Sequence, residues 1–314
     1  MWGIVPAAGR GSRIQPLAFS KELLPLGKAI RNRVLRPCAV AEYLLDRMLA
    51  GGADKLCIVI GAGKSDIVEY FGGRFGDAQL AYVVQPSPSG LCDAIFRAAP
   101  LIGNDECVAV GLPDTVWFPE DGLAALPDDA LSFLLFPVSH PEHFDAVLLD
   151  GECQGRPNRP KGERQGWPNR PKGERQGWPN RPKGECQGRP NRPEGECQGR
   201  PNRPEGEEVR EIRVKHAAPG TRWIWGAFKM PARVFHELHA LWLTREPRDE
   251  YIGTLINAYL AQGGRALGVR AGESYLDVGT LDGYRAAMRM LSRHRPARAV
   301  AAAASDLSTA RAIP

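Results

Sequence analysis

Apolar positions along the chain fall into short runs separated by glycine-rich turns. Residues 2–8 form one such run, which closes on Gly9 and Gly11. Between Ala39 and Leu49, the apolar residues Val40, Tyr43, Leu44, Leu45 and Met48 recur at helical spacing, which predicts an amphipathic helix. Lys55–Ile60 (KLCIVI) is short and almost wholly apolar, the pattern of a strand buried on both faces. A helix over about Ser65–Phe71 follows it. The alternation continues with a strand at Leu80–Gln85, a helix at Gly90–Ala99, and strands at Cys107–Gly111 and Leu131–Val138. Strands and helices alternating at this spacing predict an α/β fold: a mostly parallel mixed sheet flanked by helices. Sheets of this kind bind ligands beyond the carboxyl ends of their strands, so the loops there are where chemistry is expected.

Composition changes this picture at one place. The 314-residue chain has a net charge of +5, with 27 Pro and 35 Gly. From Gly151 to Glu205 an eleven-residue unit repeats five times, as GECQGRPNRPK, GERQGWPNRPK twice, then GECQGRPNRPE twice. These repeats carry a net of +6, ten of the prolines and ten of the glycines, so the body of the chain is close to neutral at −1. Two prolines per unit rule out a helix, and no apolar stripe exists for stacking repeats to bury. The segment is expected to be an extended, solvated arm in a surface loop, with tolerance of a tandem duplication favoured over a function of its own. Cys153, Cys186 and Cys197 lack histidine neighbours and zinc-ligand spacing. The expected organisation is a single domain from 1–150 and 206–291, the repeat insert 151–205, and a flexible C-terminal tail 292–314.

Four segments carry candidate chemistry. Ala8-Gly9-Arg10-Gly11-Ser12-Arg13 follows the first strand; its glycines let backbone N–H groups approach a phosphate, and Arg13 can fork onto the oxygens. Lys21, in SKELLP, is a second cation able to reach the same anion. Gly61-Ala62-Gly63-Lys64-Ser65 looks like the end of a P-loop, but Ile58 stands where the full pattern needs its first glycine. Lys64 and Ser65 are better read as the opening of a helix. Asp114, after the strand CVAVG, and Asp277, in YLDVGT, each lie at an apolar-to-glycine transition. A carboxylate there can hold Mg2+ bridging substrate phosphates, whereas either alone reads as a turn aspartate. Taken with the glycine loop and Lys21, they suggest a magnesium-dependent phosphate site.

The order of these motifs resembles the sugar-1-phosphate nucleotidyltransferases, the group that includes glucose-1-phosphate thymidylyltransferases and uridylyltransferases. The resemblance rests on PAAGRGSRIQPLAFSKELLP, QPSPSGLCDAI, VGLPD, HPEHFDAVLLD, EVREIRVKHAAP, WIWGAF and YLDVGT, in family order over residues 1–285 once the repeats are lifted out. It implies a Rossmann-like nucleotide-diphospho-sugar transferase fold. It further implies that Ala8, Gly9, Gly11, Ser12 and Arg13 hold a nucleoside triphosphate, and that Lys21 stabilises charge as pyrophosphate leaves. Gln85, Pro88 and Gly90 would recognise a pyrimidine base, and Asp114 and Asp277 would ligate Mg2+. Lys215 would hold the phosphate of the sugar 1-phosphate, with Asp145 and Gly226 in the sugar pocket. Arg13, Lys21 and Lys215 form the implied catalytic set. The sugar half departs from the family pattern: Asp145 stands for a frequent glycine, Val214 for a glutamate, His216 for a proline and Leu148 for a polar residue. A pocket without hydroxyl-binding groups discriminates against substrates that need them, so the sugar is left open.

The implied reaction joins dTTP or UTP to a sugar 1-phosphate, glucose 1-phosphate foremost. Two alternatives stay open: a nucleotide-binding regulatory relative with an eroded sugar site, and a cytidylyltransferase acting on a non-sugar phosphate. A third, in which the repeat arm is itself the function, would make the chain a basic-armed binding protein. HPEHFDAVLLD and EVREIRVKH read as the two arms of a β-hairpin with the repeats at its tip. With no long apolar span and a strand at the start in place of a signal peptide, the chain is expected to be cytoplasmic, with reduced thiols at Cys38, Cys57, Cys92 and Cys107. Neither nucleic acid nor membrane is an expected partner, and a homo-oligomer is left open.

Overall fold

The computed structural model describes residues 1–31, 34–151 and 206–293. The five repeats beyond Gly151, which form the expected arm, and nearly all of the expected tail lie outside the described residues.

The chain opens with β1 (Trp2–Ala7), then β2 (Pro25–Arg31) and β3 (Val34–Ala39), a separate antiparallel pair. Helix α1 (Val40–Ala50) matches the predicted stripe, with Val40, Ala41, Leu44, Leu45 and Met48 buried. The Glu42 carboxylate caps its start by accepting Ala39 N–H at 3.0 Å. Strand β4 (Lys55–Gly61) leads to α2 (Ser65–Phe71), which begins at Ser65 as expected from Lys64-Ser65. After β5 (Arg74–Phe75) and β6 (Ala78–Gln85) comes α3 (Leu91–Phe96), shorter than predicted. Pro100 has no N–H to donate to the carbonyl of Phe96 four residues back, so the α-helical ladder stops and the chain continues as a 3-10 turn over Ala99–Leu101.

The second half runs β7 (Cys107–Gly111), β8 (Thr115–Phe118), β9 (Ser132–Pro137), β10 (Asp145–Leu149), β11 (Glu207–Val214) and β12 (Trp223–Pro231). Helices α4 (Ala232–Thr244) and α5 (Ile252–Ala261) follow, then β13 (Leu267–Val269), β14 (Ser274–Asp277) and α6 (Leu281–Arg293). Among the described residues no helix is long and apolar enough to cross a membrane.

Ten strands form one sheet in the order β10-β11-β13-β9-β12-β7-β1-β4-β6-β5. The α/β architecture is as predicted, but the sheet is not mostly parallel. Its parallel part is β7-β1-β4-β6, together with the β13–β9 pair. β12 runs antiparallel to both β7 and β9, and β10–β11 and β5–β6 are antiparallel as well. Apolar runs report burial on both faces and are silent about strand direction, so the pattern could not separate the two halves. The expected hairpin arms do pair: Leu149 lies opposite Val209, and Asp150 N–H donates to Glu208 C=O at 2.9 Å.

The period-2 alternation of β1 and β4 divides the core. Ile4, Cys57 and Val59 point to the face covered by α3, α4 and α5, with Phe96, Phe235, Leu238 and Leu255. Val5, Leu56, Ile58 and Ile60 point to the face covered by α1 and α2, with Leu44, Leu45, Ile67 and Phe71. Cys57 and Cys92 are buried, and burial pushes the Cys57 thiol up to about 12. A smaller cluster of Leu26, Val40, Val116, Val278 and Ala287 ties β2 and α1 to β8, β14 and α6. Helix α6 extends through Arg293, so the expected tail boundary at 292 falls inside its last turn.

Candidate active site

The site is built where β1 and β7, adjacent parallel strands, reach their carboxyl ends. The glycine loop leaves β1 after Ala7; Ala8 is buried, while Gly9, Ser12 and Arg13 are exposed. Gly11 has φ +66°, and a Cβ there would lie 2.8 Å from Lys21 Cδ, so the lysine stem runs directly over this loop. Lys21 sits on a 3-10 turn over Lys21–Leu23, and its Nζ donates to Asp114 Oδ2 at 2.6 Å. Burial alone would lower the Lys21 ammonium, but the carboxylates of Asp114 and Glu22 outweigh it and hold it above its ordinary value. Ser20 and Glu22, on either side of Lys21, are held by Asp66 and Lys64 at the start of α2.

Asp277 reaches Asp114 through pairing that is remote in sequence. β14 pairs antiparallel with β8, placing Asp277 opposite Thr115, and Val278 N–H donates to Asp114 C=O at 2.8 Å. One Asp277 oxygen accepts Gly279 N–H at 2.7 Å, and the other accepts Arg13 Nη1 at 3.1 Å. Gly279 locates the shared space. A Cβ there would stand 2.8 Å from Asp277 Oδ1, 3.0 Å from Asp114 Oδ2 and 3.2 Å from Arg13 Nη2. Two carboxylates and two cations, Lys21 and Arg13, therefore surround one small volume. Among the described residues no group of three or more His, Cys, Asp or Glu side chains forms a metal site. The carboxylate pair alone suits Mg2+, which takes one or two carboxylates and completes its shell with phosphate oxygens and water.

Gln85, the last residue of β6, is nearly buried. Its amide Nε2 donates to Asp93 Oδ2 at 2.7 Å and Gly90 C=O at 3.1 Å, and Arg97 pairs with the same aspartate at 2.9 Å. Gly90 has φ +97°, and a Cβ there would fall 2.7 Å from Glu250 Cα, so the strip is docked on the segment before α5. Pro88 lies on the exposed loop between Gln85 and Gly90.

The third group lies at β10–β12. Asp145 opens β10 opposite Val214, and Lys215 follows β11 with φ +43°, a left-handed conformation that strains a non-glycine residue. Lys215 N–H donates to Phe144 C=O at 3.2 Å, and its ammonium stands 4.6 Å from the centre of the Tyr251 ring. Burial raises the Asp145 carboxyl above its ordinary value, with Lys215 pulling the other way. Gly226 does not present an open lining surface. It is buried at a β-bulge, and a Cβ would come within 2.5 Å of the Phe136 ring and 2.8 Å of the Tyr275 ring.

Tyr275 joins the two groups and was not singled out as a site residue in the sequence. Its ring packs on Phe136 and Phe144, with centroids at 5.4 and 5.7 Å. Burial, then the charges of Asp277 and Asp114, push its hydroxyl well above the ordinary phenol value, and Asp145 acts in the same sense. The signal available beforehand was its place two residues before Asp277, on the same face of a strand.

No family model matches the sequence. A glucose-1-phosphate thymidylyltransferase of Neisseria meningitidis serogroup A is 29% identical over 175 residues, covering 51% of this chain and 57% of the relative. A UTP–glucose-1-phosphate uridylyltransferase of Streptococcus pneumoniae is 25% identical over 171 residues, covering 44% of this chain and 54% of the relative. The matched part thus spans about half the length of these curated relatives. Among solved structures, a UTP-bound UGPase from Acinetobacter baumannii superposes with a TM-score of 0.64 at 18% identity, covering 94% of each chain. A UDP-glucose pyrophosphorylase complexed with UDP-glucose superposes with a TM-score of 0.63 at 17% identity, over 94% of this chain and 99% of that one. The fold is that of the nucleotidyltransferases with an α/β sheet flanked by helices. In sequence over about half its length, and in fold over nearly all of it, the chain is similar to sugar-1-phosphate nucleotidyltransferases.

Proposed function

We propose that the protein forms an NDP-sugar and pyrophosphate from a pyrimidine nucleoside triphosphate, dTTP or UTP, and a sugar 1-phosphate, with glucose 1-phosphate the first candidate. The observation that carries this reading is the meeting of Lys21, Arg13, Asp114 and Asp277 around the space at Gly279. Backbone N–H groups of Gly9, Gly11 and Ser12 bind the triphosphate, and Arg13 forks onto its oxygens. Lys21 exchanges Asp114 for the phosphates and offsets negative charge as the pyrophosphate separates. Asp114 and Asp277 would hold Mg2+, which when bound neutralises phosphate charge and fixes the chain of oxygens.

Gln85, oriented by Asp93, and the backbone at Pro88 and Gly90 read the base. Lys215 holds the phosphate of the sugar 1-phosphate, aimed by its unusual backbone conformation and by Asp145. An oxygen of that phosphate attacks the α-phosphorus, a new P–O bond forms, and the bond to the bridging oxygen breaks. The electron pair leaves with pyrophosphate. No covalent enzyme intermediate is needed, because orientation and charge neutralisation supply the catalysis.

The test is a matrix of triphosphates against sugar 1-phosphates, read by pyrophosphate release with Mg2+ and with chelator. Release confined to one pyrimidine triphosphate and abolished in Asp114→Asn is expected; release unaffected by that change refutes the site. A second reading, a nucleotide binder without turnover, is favoured by the covered Gly226 and by Asp145 beside Lys215. Triphosphate binding with no release in any cell of the matrix would select it.

A further inference from the structure

The glycine-lysine motif at 61–65 is assigned no phosphate contact in the site just described, yet its lysine holds the turn that carries Lys21. Lys64 Nζ donates to Ala7 C=O at 2.6 Å and to both Glu22 oxygens, at 2.9 and 2.8 Å. Three acceptors use the full donor capacity of an ammonium. Ala7 is the last residue of β1, immediately before the glycine loop, and Glu22 immediately follows Lys21. A single cation thus joins the phosphate loop to the lysine turn. Two residues on, Asp66 accepts Ser20 N–H at 2.6 Å and Ser20 Oγ–H at 2.7 Å. Both neighbours of Lys21 are therefore gripped from the first turn of α2.

The charges show why this grip reaches the lysine. Glu22 is 1% exposed. Burial raises its carboxyl, and Lys64, then Lys21, oppose that rise. Without Lys64, the buried carboxylate would have Lys21 as its remaining cation, in competition with Asp114. Lys64 satisfies Glu22 and leaves the Lys21 ammonium to Asp114 at 2.6 Å.

We propose that Lys64 and Asp66 are positioning residues for Lys21, setting its ammonium against Asp114 and the phosphate site through Glu22 and Ser20. The inference rests on the reading of Lys21 as the phosphate-binding lysine. It gives a role to a motif that resembles a P-loop without being one: the lysine acts on the backbone and on a carboxylate, and never on a phosphate.

The test reads Lys21 directly, apart from turnover. The full-length protein is labelled with trace acetic anhydride, and acetylation of Lys21 relative to exposed Lys28 is measured by mass spectrometry. Lys64→Met alone strands the Glu22 charge and threatens folding, so the decisive variant is Lys64→Met with Glu22→Gln, which removes both charges together. In this variant, with the thermal midpoint of wild type, relative Lys21 labelling is expected to change at least threefold and kcat to fall at least tenfold. Asp66→Asn is expected to move both in the same direction. Lys64→Arg, which can still reach Ala7 C=O and Glu22, is expected to restore labelling and kcat to within threefold of wild type. A folded double variant with wild-type Lys21 labelling overturns the proposal. Altered labelling in a protein that releases no pyrophosphate supports the positioning role and counts against the enzyme reading alone.

Discussion

Gly279→Ala isolates the space between the two carboxylates. The added methyl would stand 2.8 Å from Asp277 Oδ1, 3.0 Å from Asp114 Oδ2 and 3.2 Å from Arg13 Nη2, where ordinary contact begins at 3.4 Å. All three are side-chain ends able to retreat by a few tenths of an ångström, so the fold should absorb the change at a cost of about 1 kcal/mol, the low end for an added methyl. The site should not. Binding constellations tolerate displacements of only about 0.5 Å, and the methyl demands roughly that from both carboxylates while filling the volume between them. A loss of 10- to 100-fold in nucleotide affinity with Mg2+ is expected, about 1.4 to 2.7 kcal/mol. Isothermal titration with UTP or dTTP, with and without Mg2+, measures it beside a thermal melt. Gly283→Ala is the contrast: its Cβ would lie 1.8 Å from the backbone carbonyl of Asp277, which cannot retreat, so the midpoint itself should drop. If Gly279→Ala keeps wild-type affinity, metal dependence and midpoint, the space is not a binding site.

Lys21→Met should cut pyrophosphate release by about 10²–10³, the usual effect of removing one preorganised donor to developing charge, and undiminished release would remove Lys21 from the mechanism. Asp145→Asn should stabilise the protein in a pH-dependent way. A raised carboxyl value means the ionised form is disfavoured when folded, so the wild type loses stability as pH rises from about 4 through the folded value, and Asn avoids that loss. Melts at pH 4 and pH 8 should show a gain only at pH 8; equal differences at both would refute the assignment. Deleting 153–203 shortens the connection between β10 and β11 roughly tenfold, which is worth about 2 kcal/mol of loop-closure entropy. Urea unfolding should show equal or higher stability with unchanged nucleotide binding, and a clear loss in either would mean that the repeats contribute contacts.

What the sequence disclosed depended on the length scale of each signal. Lys55–Ile60 and Cys107–Gly111 were legible as buried strands because an apolar run is itself the signature of a strand covered on both faces. β8 and β14 were not, since four residues carry too little periodicity, and their pairing alone brings Asp277 to Asp114. The aspartates read one at a time as turn residues; their meeting was expected only from their company with the glycine loop and Lys21 and from the family resemblance, and no local pattern showed the pairing that produces it. Lys64 opens α2 as expected, but its pairing with Glu22 was not legible, because a glutamate is almost never fully buried unless paired and nothing local to Glu22 announces a partner 42 residues away. Gly226 shows the converse limit. Its place in WIWGAF was legible through the family resemblance, but its burial under Phe136 and Tyr275 depends on a bulge that no local pattern announces.

The pairing of Leu149 with Val209 has a consequence at the level of the gene. Each repeat is eleven codons long, so gaining or losing a unit preserves the reading frame, and the two arms meet in the same register whatever number lies between them. Because closure entropy changes only with the logarithm of length, going from five units to six or four alters folding by a fraction of a kcal/mol. Copy number at this hairpin is therefore expected to drift as a neutral length polymorphism, with selection acting on the arms and not on the count.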